Sequence, residues 1–98
     1  MEVEFANSDL DQMEIDPDFT AGLSRAIVRT FRKRMQTIRA APDERTLYAL
    51  KSLHFEKLRG KRSHQRSIRL NKKGRLVLEL RKDGDKSVVV IIAIADYH

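Results

Sequence analysis

Histidine is scarce in this chain of 98 residues, with three in all, and each stands where a proton carrier could act. His54 precedes a dense basic stretch, His64 lies in its middle, and His98 is the final residue of Asp96-Tyr97-His98. An imidazole titrates at about 6.5, so it can accept or release a proton at cellular pH. A ribose 2′-hydroxyl attacking its neighbouring phosphate needs a base, an acid for the leaving 5′-oxygen, and cations around the phosphorus. Arg75 follows a glycine turn and opens a strand, which suits a guanidinium that clamps a phosphate through paired N–H groups. The terminal Asp96-Tyr97-His98 continues a strongly apolar strand and is thereby tethered to a sheet edge. There Tyr97 could stack on an unpaired base and Asp96 could orient a neighbouring group. His64 reads instead as an exposed loop residue without a catalytic role. Asp96, His98, His54 and His64 show no metal-ligand spacing, and no metal or cofactor is expected.

The stretch Phe55 to Arg75 would supply the cations. Lys57, Arg59, Lys61, Arg62, Arg66, Arg69, Lys72, Lys73 and Arg75 fall within it, and from Lys57 onward it holds no Asp or Glu. Ser67-Ile68-Arg69-Leu70 keeps the alternation of a strand, and Asn71 to Gly74 has turn chemistry. A basic strand-turn-strand surface of this kind suits a polyanion, because each cation placed near a phosphate releases counterions. Period-two alternation allows only one subset of these side chains to face a given ligand.

Composition sets the frame for these residues. The length suits a single domain spanning residues 1–98, with 41% hydrophobic and 35% charged residues. Its longest apolar run, Val88 to Ala95, has strand length rather than membrane-span length, so a soluble cytoplasmic protein without membrane contact is expected. The absence of cysteine excludes disulfides and thiolate metal sites. A net charge of +6 conceals an asymmetry: residues 1–24 carry seven acidic and no basic residues, so residues 25–98 carry +13.

The elements that must position the site follow from periodicity. Val3 and Phe5 alternate with Glu2 and Glu4 as in a short strand. Ser8 is the expected N-cap of a short helix with Asp9 and Asp11 in its first turn, stopped by Asp16-Pro17. Leu23, Ile27, Phe31, Met35 and Ile38 predict an amphipathic helix over about 20–40, and Leu47, Tyr48, Leu50 and Leu53 are expected under a sheet. Strands are expected at 55–58, 66–70, 75–81 and 88–95, joined by glycine-containing turns. The fold class is α+β: a short N-terminal strand and two to three helices packed on one face of a curved antiparallel sheet.

The run Leu58-Arg59-Gly60-Lys61-Arg62, then Ser67, Ile68, Arg69, Asn71 and Arg75, and finally Asp96-Tyr97-His98, resembles the HigB-like killer toxins of the RelE/ParE superfamily. The resemblance extends upstream through Gly22-Leu23 and Ala40-Ala41 to about Phe5. It implies a RelE-like fold and the toxin of a type II toxin–antitoxin pair. The implied activity is that of a metal-independent, ribosome-dependent mRNA endoribonuclease that arrests translation. By the same carry-over His98 would be general base or acid, with Tyr97 and Asp96 beside it, and Arg75 would hold the phosphate. Lys57, Arg59, Lys61, Arg62, Arg66, Arg69, Lys72 and Lys73 would meet message or ribosome. The implied partners are a HigA-like antitoxin, the ribosome and mRNA, with the free toxin monomeric. Where better-matching members have a histidine before the Leu-x-Gly-x-Arg segment, this chain has Glu56, with His54 two residues earlier, so either is a candidate for the catalytic position. Gly74 stands where the family commonly has tryptophan. A ParE-like inhibitor of DNA gyrase and a non-catalytic nucleic-acid-binding domain are the rival readings.

Overall fold

The computed structural model of the chain describes residues 1–96. In chain order it runs β1 (Glu2–Phe5), α1 (Ser8–Ile15), α2 (Arg25–Ala40), α3 (Glu44–Ala49), a 3-10 turn at Lys51–Leu53, and β2 (Glu56–Lys57). A second 3-10 turn at Gly60–Arg62, then β3 (Gln65–Arg69), β4 (Gly74–Asp83) and β5 (Lys86–Asp96) complete it. The five strands form one sheet in the order β1-β5-β4-β3-β2. Strands β2 to β5 pair antiparallel, as expected, whereas β1 pairs parallel with β5. The sheet is therefore mixed, because β1 is separated from the other strands by the helices, and parallel pairing requires such a long connection.

The core is the seam between α2 and one face of this sheet. Val28, Phe31, Met35 and Ile38 recur at spacings of three, four and three, and all are buried. They pack with Ile68, Leu76, Leu78, Val89 and Ile91 from the sheet and with Leu10 and Met13 from α1. The helix is shorter at its start than periodicity suggests. Ala21 and Gly22 take positive φ, and Ser24 Oγ accepts a hydrogen bond from Ile27 N–H, so Ser24 rather than Thr20 sets the boundary. In α1 the cap is likewise Asn7, one residue before the expected Ser8, because the longer amide reaches the N–H groups of both Asp9 and Leu10. Leu47 and Leu53 are buried as expected. Tyr48 and Leu50 are instead 48% and 40% exposed, since a six-residue helix turns only one side inward and Leu50 lies past its end in extended conformation.

Side-chain alternation is broken once, and the break matters for packing. Leu78 pairs with Ile91 but Val77 pairs with Ala93, leaving Ile92 as an extra residue in β5. This bulge lets Ile91 and Ile94, three residues apart, both contact the helix-covered core. Polar ties fix the surrounding layers: Arg32 donates to the carbonyls of Met13 and Asp16, and Arg39 makes a two-point contact with Glu14 at 2.8 and 2.6 Å. That carboxylate raises the Arg39 guanidinium pKa above its ordinary value.

Because Phe31 is fully buried at the centre of the seam, Phe31→Ala should cost about 3–5 kcal/mol of unfolding free energy. Urea denaturation followed by circular dichroism measures this directly. A loss under about 1 kcal/mol would place Phe31 outside a well-packed core.

Candidate functional site

With α2 covering one face, the other face of the sheet is left open, and strand alternation assigns its residues. Gln65, Ser67 and Arg69 on β3 share this face with Arg75, Val77, Glu79 and Arg81 on β4. Glu56 on β2 joins them opposite Ser67. Glu4 on β1 meets Arg81 there at 2.8 Å.

Arg75 is the best-anchored cation on the open face. Its Nε donates to Ser67 Oγ at 2.8 Å and its Nη2 to the His54 carbonyl at 2.6 Å, with Glu56 Oε1 3.1 Å from the same Nη2. Ser67 is fully buried, and its hydroxyl is satisfied by this bond. With Nε bound to Ser67 and Nη2 to the His54 carbonyl, the guanidinium is held in one orientation, and its side chain is 17% exposed. Arg69 stands directly opposite Arg75 in the β3–β4 register. Two like charges in that relation repel, and an anion between them would remove the cost.

The local backbone explains how these groups meet. His54 adopts left-handed dihedrals (φ 47°, ψ 48°) at the end of the 3-10 turn, and its carbonyl accepts from Arg75. Gly74 lies so close to α2 that an added Cβ would come within 3.1 Å of Ile27 Cδ1. A side chain at Gly74 would require Ile27 and Asn71 to shift, which gives a steric reason for a small residue immediately before Arg75. Asn71 Oδ1 accepts from the N–H groups of Lys73 and Gly74 and closes the turn.

Of the residues singled out by sequence, the structure thus brings Arg75, Glu56 and the His54 backbone together. Asp96 pairs through its backbone with Gly74, next to Arg75; Tyr97 and His98 lie outside the described residues. Lys72 and Lys73 are exposed on the β3–β4 turn, and Arg59, Lys61 and Arg62 are exposed before β3. Lys57 and Arg66 pair with each other across β2 and β3, on the side opposite to Arg75, where Arg66 lies 3.4 Å from Glu44 of α3. Farther along the open face, Glu79 sits 3.3 Å from both His64 Nε2 and Gln65 Nε2. Ser67 and Glu79 had no assigned role in the sequence reading. The available signal for Ser67 was a small hydroxyl at a strand position between two arginines; Glu79 gave none.

Among the described residues no group of three or more His, Cys, Asp or Glu side chains is arranged to hold a metal ion. No helix is long and apolar enough to cross a membrane.

An α+β domain with helices on one face of a mixed sheet is an architecture found in other solved structures. The chain is similar in fold to the YoeB/ParE toxin from Agrobacterium tumefaciens, with TM-score 0.66 and 18% identity over 100% of both chains. It is also similar to the conserved hypothetical protein HP0894 from Helicobacter pylori, with TM-score 0.55 and 11% identity over 98% of this chain and 93% of that one. No family model matches the chain, and no curated protein does.

The anchoring of Arg75 predicts unequal costs for its two side-chain partners. Ser67→Ala strands a largely buried donor and should cost about 1–3 kcal/mol. Glu56→Ala removes a pair whose carboxylate side chain is 63% exposed, and should change stability by less than about 1 kcal/mol. Denaturant midpoints of the two variants, measured side by side, test this order; equal losses would show that Ser67 does not carry the anchor.

Proposed function

We propose that the chain is the toxin of a type II toxin–antitoxin pair, of the HigB-like kind, and that it cleaves mRNA on the ribosome without a metal ion. The observation that carries this reading is the Arg75 guanidinium, held by Ser67 and the His54 carbonyl beside the exposed carboxylate of Glu56. The shared fold with a YoeB/ParE toxin supports it. A gyrase inhibitor would need no proton acceptor beside a fixed phosphate-sized cation, so the nuclease is the better fit.

In this mechanism Glu56 takes the proton of a ribose 2′-hydroxyl as its oxygen bonds to the adjacent phosphorus. Arg75, joined by Arg69, holds the non-bridging oxygens as negative charge accumulates. The bond from phosphorus to the 5′-oxygen then breaks, and His98 supplies the proton that this oxygen takes up. The products are a 2′,3′-cyclic phosphate and a free 5′-hydroxyl. Tyr97 stacks on a base of the codon and Asp96 orients its neighbours. Glu56 is assigned the base because its carboxylate contacts Arg75, whereas His54 contacts Arg75 through its backbone. A HigA-like antitoxin is the partner that holds the free, monomeric toxin inactive, and the exposed cations Arg59, Lys61, Arg62, Lys72 and Lys73 meet message or ribosome in the cytoplasm.

The test is to induce the chain in bacteria with and without its adjacent partner gene and map new 5′ ends in translated and untranslated frames. Cuts confined to translated frames are expected; growth arrest without new RNA ends would reject the mechanism and favour gyrase as target. Glu56→Gln should slow cleavage by about 10²–10⁴-fold, and Arg75→Ala by at least about 10²-fold. His54→Gly, which keeps the carbonyl and favours the left-handed backbone, should cleave within about tenfold of the parent. A collapse of activity in His54→Gly while Glu56→Gln stays active would exchange their roles.

A further inference from the structure

The α2 helix carries a second cationic surface that the Arg75 site does not use. Its sequence from Arg25 to Ala40 has six Arg or Lys and no acid. Three of the six have structural work: Arg32 binds the carbonyls of Met13 and Asp16, Arg34 the carbonyl of Arg69, and Arg39 the carboxylate of Glu14. Arg25, Arg29 and Lys33 are exposed and make no side-chain contact with a hydrogen-bond or ion-pair partner among the described residues. They stand one turn apart in succession, an arrangement in which like charges repel. Arg25 also sits in the first turn, where the helix dipole disfavours a cation, and that turn contains no acid to offset it. Each of these features weakens the isolated helix, and each strengthens a field for an anion.

The three side chains line one groove of about 450 Å³, together with Arg32, Gln36 and Asp18. Val28 at its floor is only 2% exposed, and the lining is more polar than apolar, with Asp18 its single acidic residue. The row from Arg25 to Lys33 extends about 12 Å along the helix axis, long enough for several phosphates of one strand. The helix buries its other side on the sheet, so this row faces away from Arg75. We propose that the outer row Arg25, Arg29 and Lys33 binds the phosphate backbone of double-stranded RNA, independently of the strand held at Arg75. The choice of RNA over DNA rests on the nuclease reading; the cationic row itself does not.

Binding of an RNA hairpin of about 20 base pairs tests this, using the full chain with Glu56→Gln so that the probe stays intact. Each phosphate contact contributes about 0.9 to the slope of log affinity against log salt. Arg25→Gln, Arg29→Gln and Lys33→Gln combined should therefore lower that slope by between about two and three. A change below about one would overturn the proposal, provided circular dichroism shows the triple variant folded; single variants serve if it is not. Failure of the parent to bind the hairpin would also overturn it, and parent binding to a decaglutamate peptide that the triple variant loses would identify an acidic protein instead. Tighter binding of a DNA duplex of the same length would overturn the RNA assignment. Failure of the nuclease reading is seen separately, as uncut messenger RNA, and leaves the hairpin slope unchanged.

Discussion

Burial of the apolar side of α2 against one face of the sheet is the constraint on which the rest of the molecule depends. Phe31, Met35 and Ile38 are removed from water entirely, and each such side chain contributes about 1.5–3 kcal/mol to holding the layers together. In a domain of this size that seam is a large share of the net stability. It also leaves the opposite sheet face without a helical cover, where charged side chains lie over the buried Ser67, Val77 and Val88. The charged side chains of β3 and β4 can occupy that face because burial has been achieved elsewhere.

Placing many cations on a small domain has a cost that the structure offsets locally. Glu4 meets Arg81, Glu79 lies beside His64 and Gln65, and Glu44 lies beside Arg66. Exposed pairs of this sort add little to stability, but they restrict where uncompensated positive charge remains. On the open face it remains chiefly at the end where Arg69 stands across from Arg75, whose own charge Glu56 partly offsets. On the helical side it remains along Arg25, Arg29 and Lys33. The two lie on opposite sides of the packed seam between α2 and the sheet.

Much of this architecture was legible in the sequence because period and turn chemistry are local signals. The spacing of Phe31, Met35 and Ile38 marked the helix, and Asn71 to Gly74 marked the turn that presents Arg75. What escaped was set by relations between distant segments. The parallel pairing of β1 with β5 joins the two ends of the chain, and nothing in Val3 or Phe5 specifies its partner. The apolar run from Val88 reads as buried on both sides, and Val88 and Val89 are both buried, but the bulge at Ile92 that gives Ile91 and Ile94 the same side has no local signal. Arg75, His54 and Glu56 were each legible as candidates, but their convergence required the register of β2 on β3. The facing of Arg66 away from that site likewise follows only once the register is known.

The contact between Glu56 and Arg75 also bears on which anions the open face admits. With the carboxylate beside it, the guanidinium is already partly neutralised at rest. A small, freely diffusing anion such as inorganic phosphate must displace that internal counterion with the few contacts one molecule can make. A polymer brings neighbouring phosphates to the surrounding cations at the same time, and its repeated contacts outweigh the exchange. Under the proposed nuclease reading, the pair would therefore favour long phosphate chains over single small anions.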